Sequence, residues 1–231
     1  MRPIYTPKGK AKEYGDYAIN IYTGCPHRCY YCFAPSILRK EKETFHSRIE
    51  PRDNIVEAVK KQLQSEKITD KLIHLCFTCD PYPNGYDSTS TREIIQAIKN
   101  SGNHVQILTK TEGSRDFDLL DEKDWYGITL TGAAIEQEPN ALDSTDRLFW
   151  LAKAKNYGIK TWVSFEPVIN TELVLTILTK AHASFDKVKV GKLNYHSSNI
   201  DWVKFREVFE NLCKHFSIEY YIKESLKNYG N

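Results

Sequence analysis

Short β-rich runs alternate with amphipathic helical runs six times along this chain, and that alternation points to a parallel sheet covered by helices. The strand runs are residues 18–23, 72–78, 105–110, 126–131, 160–165 and 187–193. The helical runs are 55–65, 91–100, 116–120, 144–157, 171–183 and 201–216. Ile55, Val59 and Leu63 recur at helical spacing in the first, and Trp202, Phe205, Phe209, Leu212 and Phe216 stripe the last. Ser101-Gly102 and Gly158 are stop signals. A final strand fits residues 218–222. Six units rather than eight predict an α/β fold of the open kind, a partial (β/α)6 barrel with parallel strands. It is expected as a single domain over 18–231 behind an N-terminal extension at 1–17.

Composition agrees with a packed enzyme-sized domain. The chain has 231 residues, 41% hydrophobic and 27% charged, which suits a buried core and not a disordered chain. A net charge of +2 neither demands nor excludes a nucleic-acid partner, because a local basic patch can hide in a neutral total. No apolar run approaches the roughly 20 residues of a membrane span, so no membrane partner is expected. The first twelve residues carry Lys and Arg without an apolar stretch and do not read as a signal peptide. Six cysteines are too few for a disulfide scaffold. Three of them crowd together, as metal ligands in a reducing compartment would, and a cytoplasmic location is expected.

In parallel α/β folds the chemistry gathers at the C-terminal ends of the strands. There this chain places Cys25, Cys79, Asp80, Lys110, Thr131, Glu166 and Asn194. Cys25, Cys29 and Cys32 are spaced Cys-x3-Cys-x2-Cys, close enough to wrap one corner of an iron–sulfur cluster. Such clusters normally take four thiolates, so three leave one iron open for an exogenous ligand. A structural zinc would want a closed shell of four. His27 is available as a fourth ligand, but it lies inside the first loop and would strain to share a metal with its neighbours.

The stretch Tyr22-Thr23-Gly24-Cys25-Pro26-His27-Arg28-Cys29-Tyr30-Tyr31-Cys32-Phe33-Ala34 resembles the cysteine signature of the radical S-adenosylmethionine superfamily. Thr6-Pro7-Lys8-Gly9, Thr78-Cys79-Asp80-Pro81-Tyr82, Ile107-Leu108-Thr109-Lys110 and Arg115-Asp116-Phe117-Asp118-Leu119-Leu120 resemble its spore photoproduct lyase-like family, whose members are often labelled DNA repair photolyases. The resemblance implies a [4Fe-4S] cluster on Cys25, Cys29 and Cys32 with S-adenosyl-L-methionine bound at the open iron. It implies reduction by a donor such as flavodoxin or ferredoxin, cleavage to a 5′-deoxyadenosyl radical, and hydrogen abstraction from substrate, with lyase or DNA-repair activity on a nucleic-acid base lesion leading. A protein or small-molecule substrate is the alternative, and a non-enzymatic cluster or zinc protein is the third reading.

The resemblance also suggests a second tier of residues. Tyr31 would lie near the adenine, or serve only as a core aromatic. Lys110 resembles the lysine that reaches the cofactor's carboxylate, or is a solvated strand terminus. Thr129 and Thr131 share a strand face by alternation and are candidate donors to the cofactor. Glu166 and Asp80 are candidates for the cofactor's amino group, or for ion pairs, with Lys110 or Lys192 as the expected partner of Glu166. Lys192 and Asn194 are substrate-side candidates. Spore photoproduct lyases return a hydrogen atom from a cysteine near the end of the second strand. Phe77 takes that place here, and Cys79, two residues on and on the same face by alternation, is the catalytic candidate in its stead. Cys76 and Cys79 lack ligands for a second cluster, Cys213 being the sixth cysteine. Arg28, Arg39, Lys40, Lys42 and His46 are a candidate nucleic-acid patch, or a solvated helix face.

Overall fold

Each strand pairs with the next one in the chain. The computed structural model describes residues 2–194, 196 and 198–230. Its sheet runs β1 (Tyr17–Ile19), β2 (Leu72–Leu75), β3 (His104–Thr109), β4 (Trp125–Thr129), β5 (Lys160–Val168), β6 (Lys187–Lys192) and β7 (Glu219–Ile222), all parallel and in sequence order. The helices are α1 (Ala34–Leu38), α2 (Lys42–Ser47), α3 (Ile55–Glu66), α4 (Thr89–Asn100), α5 (Ser144–Asn156), α6 (Thr171–Ala181), α7 (Trp202–His215) and α8 (Glu224–Lys227). The expected 116–120 helix is a 3₁₀ turn, Ser114–Leu119. No helix among the described residues is long and apolar enough to cross a membrane.

Alternation assigns the two faces of the sheet. Ile73, Leu75, Val105, Ile107, Tyr126, Ile128, Val163, Phe165, Val188 and Val190 join one buried cluster with the helix residues Val59, Ile94, Leu151, Val174 and Phe209. The residues between them face a lumen. His74 bonds Gln106 there at 3.2 Å, and the Lys189 ammonium lies 5.5 Å from the Trp162 ring centre. Trp162 donates its indole N–H to the Ile107 carbonyl at 2.9 Å. It crosses Gly127 so closely that a Cβ there would lie 2.2 Å from the indole nitrogen, so only glycine fits.

The ladder is open between β1 and β7, and the N-terminal segment bridges the opening. Tyr5 forms an antiparallel bridge to Ala18 on the β1 edge. A 3₁₀ turn, Gly9–Tyr14, then drives the Tyr14 ring against His74, Phe77 and Trp162. The Glu13 carboxylate accepts the Tyr221 hydroxyl at 3.0 Å and the Glu224 amide at 3.1 Å on the far side. The Tyr5 bridge pairs part of the β1 edge that would otherwise be open to another chain.

Five strands stop short of their expected ends, β6 by one residue at Lys192. The Asn20 side-chain oxygen accepts the amides of Phe77 and Thr78 at 2.8 and 2.9 Å, replacing the ladder after β1 and β2. Cys76 sits at φ 71°, which breaks β2. β3 and β4 stop at Thr109 and Thr129, while β5 runs on to Val168 through a register shift. The site residues therefore stand on loops just beyond the sheet.

Candidate active site

The cysteine loop follows β1 and is held from outside. The Cys25 amide donates to the Phe45 carbonyl at 3.2 Å, and the His46 ring bonds the Cys25 carbonyl at 2.8 Å. Lys40 donates to the Thr23 carbonyl at 2.7 Å, and Asn140 to the Pro26 carbonyl at 2.9 Å. Gly24 is pressed so tightly on α2 that a Cβ would lie 2.2 Å from the Phe45 oxygen.

The three thiols fit a cluster better than a single ion. All are unbridged, and burial pushes each of them up, Cys29 to about 11. Metal ligation would remove those protons. Among the described residues only His104, Asp121 and Asp124 offer three ligand atoms within 4.8 Å of one another. The sulfurs of Cys25, Cys29 and Cys32 are therefore not all within 4.8 Å of one another, as the ligands of one shared ion would be. His27 does not complete a closed shell with them. It is buried, and burial lowers its pKa to about 4; its Nε2 has no partner and its Nδ1 stands 3.6 Å from Asp80.

Asp80 organises the neighbouring strand ends. Its carboxylate accepts the Tyr82 amide at 2.8 Å, the Thr109 hydroxyl at 2.6 Å and the Lys110 amide at 2.9 Å. These bonds commit Asp80 to fixing Lys110. The Lys110 ammonium lies 5.6 Å from the Tyr31 ring centre and close enough to Cys29 and Cys32 to oppose the upward push on both thiols. Among the described residues it makes no side-chain hydrogen bond, so it remains available to an anionic group.

Tyr31, Thr131 and Glu138 form a buried knot under that lysine. The Tyr31 and Thr131 hydroxyls donate to Glu138, which pairs with Arg147 at 2.6 Å. Burial pushes the Glu138 carboxyl up, but the charges of Lys110 and Arg147 outweigh it and hold the group below its ordinary range. Arg147 also donates to the Thr129 carbonyl at 2.7 Å. Thr131 lies past the end of β4, beyond the alternation expected to pair it with Thr129, and its hydroxyl is used within the protein. Glu138 and Arg147 escape sequence reading because an isolated acid in a loop and an arginine on a helix carry no spacing signal.

Glu166 differs from its expected pairing. Its partners are neither Lys110 nor Lys192 but Lys223 at 3.0 Å and the Tyr14 hydroxyl at 2.5 Å, both brought across the lumen. Lys192 lies over the Tyr229 ring instead, and Asn194 donates to the Lys192 carbonyl.

Cys79 also differs. With β2 ended at Leu75, alternation no longer applies at residue 79. Phe77 stacks on His74 in the lumen, whereas Cys79 packs on the helix-side core with Cys76 and accepts the Tyr22 amide at 3.4 Å. The basic patch contracts as well. Arg28 pairs with Glu43, Lys40 holds Thr23, and His46 is buried, which leaves Arg39 and Lys42 exposed, a few residues after the exposed rings of Tyr30 and Phe33 in the chain.

The family model of the Radical SAM superfamily matches residues 19–174. An uncharacterized protein of Acidianus two-tailed virus, ORF301, is 27% identical over 227 residues, covering 85% of this chain and 73% of that one. A spore photoproduct lyase structure with bound AdoMet and dinucleoside spore photoproduct superposes with a TM-score of 0.70 at 15% identity, over 94% of this chain and 79% of that one. Streptococcus suis SuiB bound to S-adenosylmethionine gives a TM-score of 0.64 at 10% identity, over 92% of this chain and 52% of that one.

Proposed function

This chain belongs to the radical SAM superfamily, and from that premise we propose that it acts on a base lesion in a nucleic acid. Radical SAM enzymes use a [4Fe-4S] cluster and S-adenosylmethionine, which when bound supply a carbon-centred radical able to take a hydrogen atom from substrate. Cys25, Cys29 and Cys32 would each hold one iron and leave the fourth open. The Lys110 ammonium would take the cofactor's carboxylate, with Asp80 fixing the backbone that carries it. Tyr31, clamped by Glu138, would flank the adenine. Thr129 closes β4 beside them, and Glu166 lines the lumen as the remaining polar candidate for the cofactor. His74, Phe77, Trp162 and Tyr14 pack their rings against one another in the lumen.

The substrate reading rests on one observation. Tyr30 and Phe33 flank Cys32 with exposed rings, 38% and 47% accessible, and Arg39 and Lys42 are exposed just beyond them. Exposed rings beside cations are what an unpaired base and its phosphates require. The likeness of the fold to a lyase holding a dinucleoside photoproduct supports it. A low-potential flavodoxin or ferredoxin would supply the electron.

The reading is tested by anaerobic incubation with dithionite and S-adenosylmethionine, against thymine-lesion DNA, undamaged DNA, RNA and no nucleic acid. Formation of 5′-deoxyadenosine should rise with the lesion present. Equal yields in every arm would remove nucleic acid as the substrate and leave the radical chemistry standing.

A further inference from the structure

Cys76 and Cys79 are left unused by the chemistry above, and they are not independent of one another. Asn20 gathers the amides of residues 77 and 78, and the left-handed turn at Cys76 folds the chain back on itself. Both residues pack against the same core cluster, and each thiol shifts the ionisation of the other. Cys76 is buried at 6% exposure, while Cys79 is partly accessible and accepts the Tyr22 amide at 3.4 Å.

We propose that Cys76 and Cys79 are a redox-active dithiol that closes to a disulfide by exchange with a small-molecule disulfide. Two cysteines three residues apart, where the left-handed residue Cys76 turns the chain, close a short loop when their sulfurs join. The two sulfurs have different roles. Burial pushes both thiols up. At Cys79 the hydrogen bonds from the Cys76 thiol and from the Tyr22 and Ile21 amides outweigh it and bring the pKa below its ordinary value, whereas Cys76 stays well above. Cys79 is therefore the attacking thiolate and Cys76 the resolving thiol. Cys79 attacks one sulfur of the disulfide RSSR and displaces a first thiolate, which takes up the proton Cys79 has lost. The Cys76 sulfur then displaces the second thiolate from the mixed disulfide and gives up its own proton. The protein loses two electrons and two protons, and RSSR gains both and leaves as two RSH. The pair directly precedes Asp80, whose carboxylate fixes Lys110.

The test uses the full chain, handled anaerobically, with 2-hydroxyethyl disulfide as the oxidant. Samples are acid-quenched, alkylated and cut with trypsin, which releases both residues on one peptide, 72–92, separate from Cys25, Cys29, Cys32 and Cys213. The peptide should lose both alkylation sites together and become lighter by two hydrogen atoms. Cys76→Ser should stop at one mercaptoethanol adduct on Cys79, and Cys79→Ser should leave Cys76 free to alkylate. Three results would each overturn the proposal: a wild-type peptide that keeps two alkylatable thiols, a stable adduct on Cys79 beside a free Cys76, or oxidation seen only in urea. None of these readouts depends on a cluster, a cofactor or a substrate.

Discussion

Lys110 shows how a single residue is prepared for a ligand. Its backbone is fixed through Asp80 and its ammonium lies over the Tyr31 ring, with no hydrogen bond of its own to the described residues. Lys110→Ala should weaken S-adenosylmethionine binding to the reconstituted protein by ~1–3 kcal/mol, the cost of one charge-assisted hydrogen bond. Iron content should stay unchanged, and calorimetric titration reads the difference. Unchanged affinity would return Lys110 to the solvated strand terminus that the sequence also allows. At this scale the sequence singles out Cys25, Cys29 and Cys32, because their spacing points to a chemistry. It is silent where two distant residues meet, as Glu138 and Arg147 do, and it misleads where alternation is extended past a strand end, as at Cys79.

Among the elements, β6 carries an unusual load. Lys189 faces the lumen, donating to the Glu13 carbonyl at 3.0 Å and lying 4.5 Å from the Tyr14 ring centre. Burial, then the charges of Lys187 and Lys223, lower its pKa from 10.5 to about 8. Below pH 8 folded and unfolded chains both hold this proton, and the full cost of the buried charge is present. Between 8 and 10.5 only the unfolded chain holds it, so the cost fades as pH rises. Lys189→Met should therefore stabilise the cluster-free protein at pH 7 by on the order of 1–3 kcal/mol, with the gain shrinking as pH approaches 10. Urea unfolding at the two pH values checks this, and a less stable variant at pH 7 would show that the Glu13 contact outweighs burial. The strand–helix units were legible because hydrophobic period is a local property, as the Ile55, Val59, Leu63 stripe illustrates. The ends of β1 and β2 were not, because the Asn20 side chain after β1 binds amides 57 and 58 residues on, after β2.

At the scale of the molecule, seven parallel strands curl around a lumen whose open side is bridged by residues 5–14. That bridge was the least legible feature. Tyr14 gives no sign in its neighbourhood that its hydroxyl meets Glu166, 152 residues on. This barrel is proposed to carry a cluster on Cys25, Cys29 and Cys32 with one iron open to S-adenosylmethionine. The direct measurement is iron content and electron paramagnetic resonance of the anaerobically reconstituted, dithionite-reduced protein, with and without S-adenosylmethionine. About four irons per chain are expected, with a reduced-cluster signal that changes when S-adenosylmethionine is added. The charge-transfer absorbance should be lost in each of Cys25→Ala, Cys29→Ala and Cys32→Ala. Stoichiometric zinc with no iron uptake, or a cluster signal indifferent to S-adenosylmethionine, would rule out a cluster with an iron open to the cofactor.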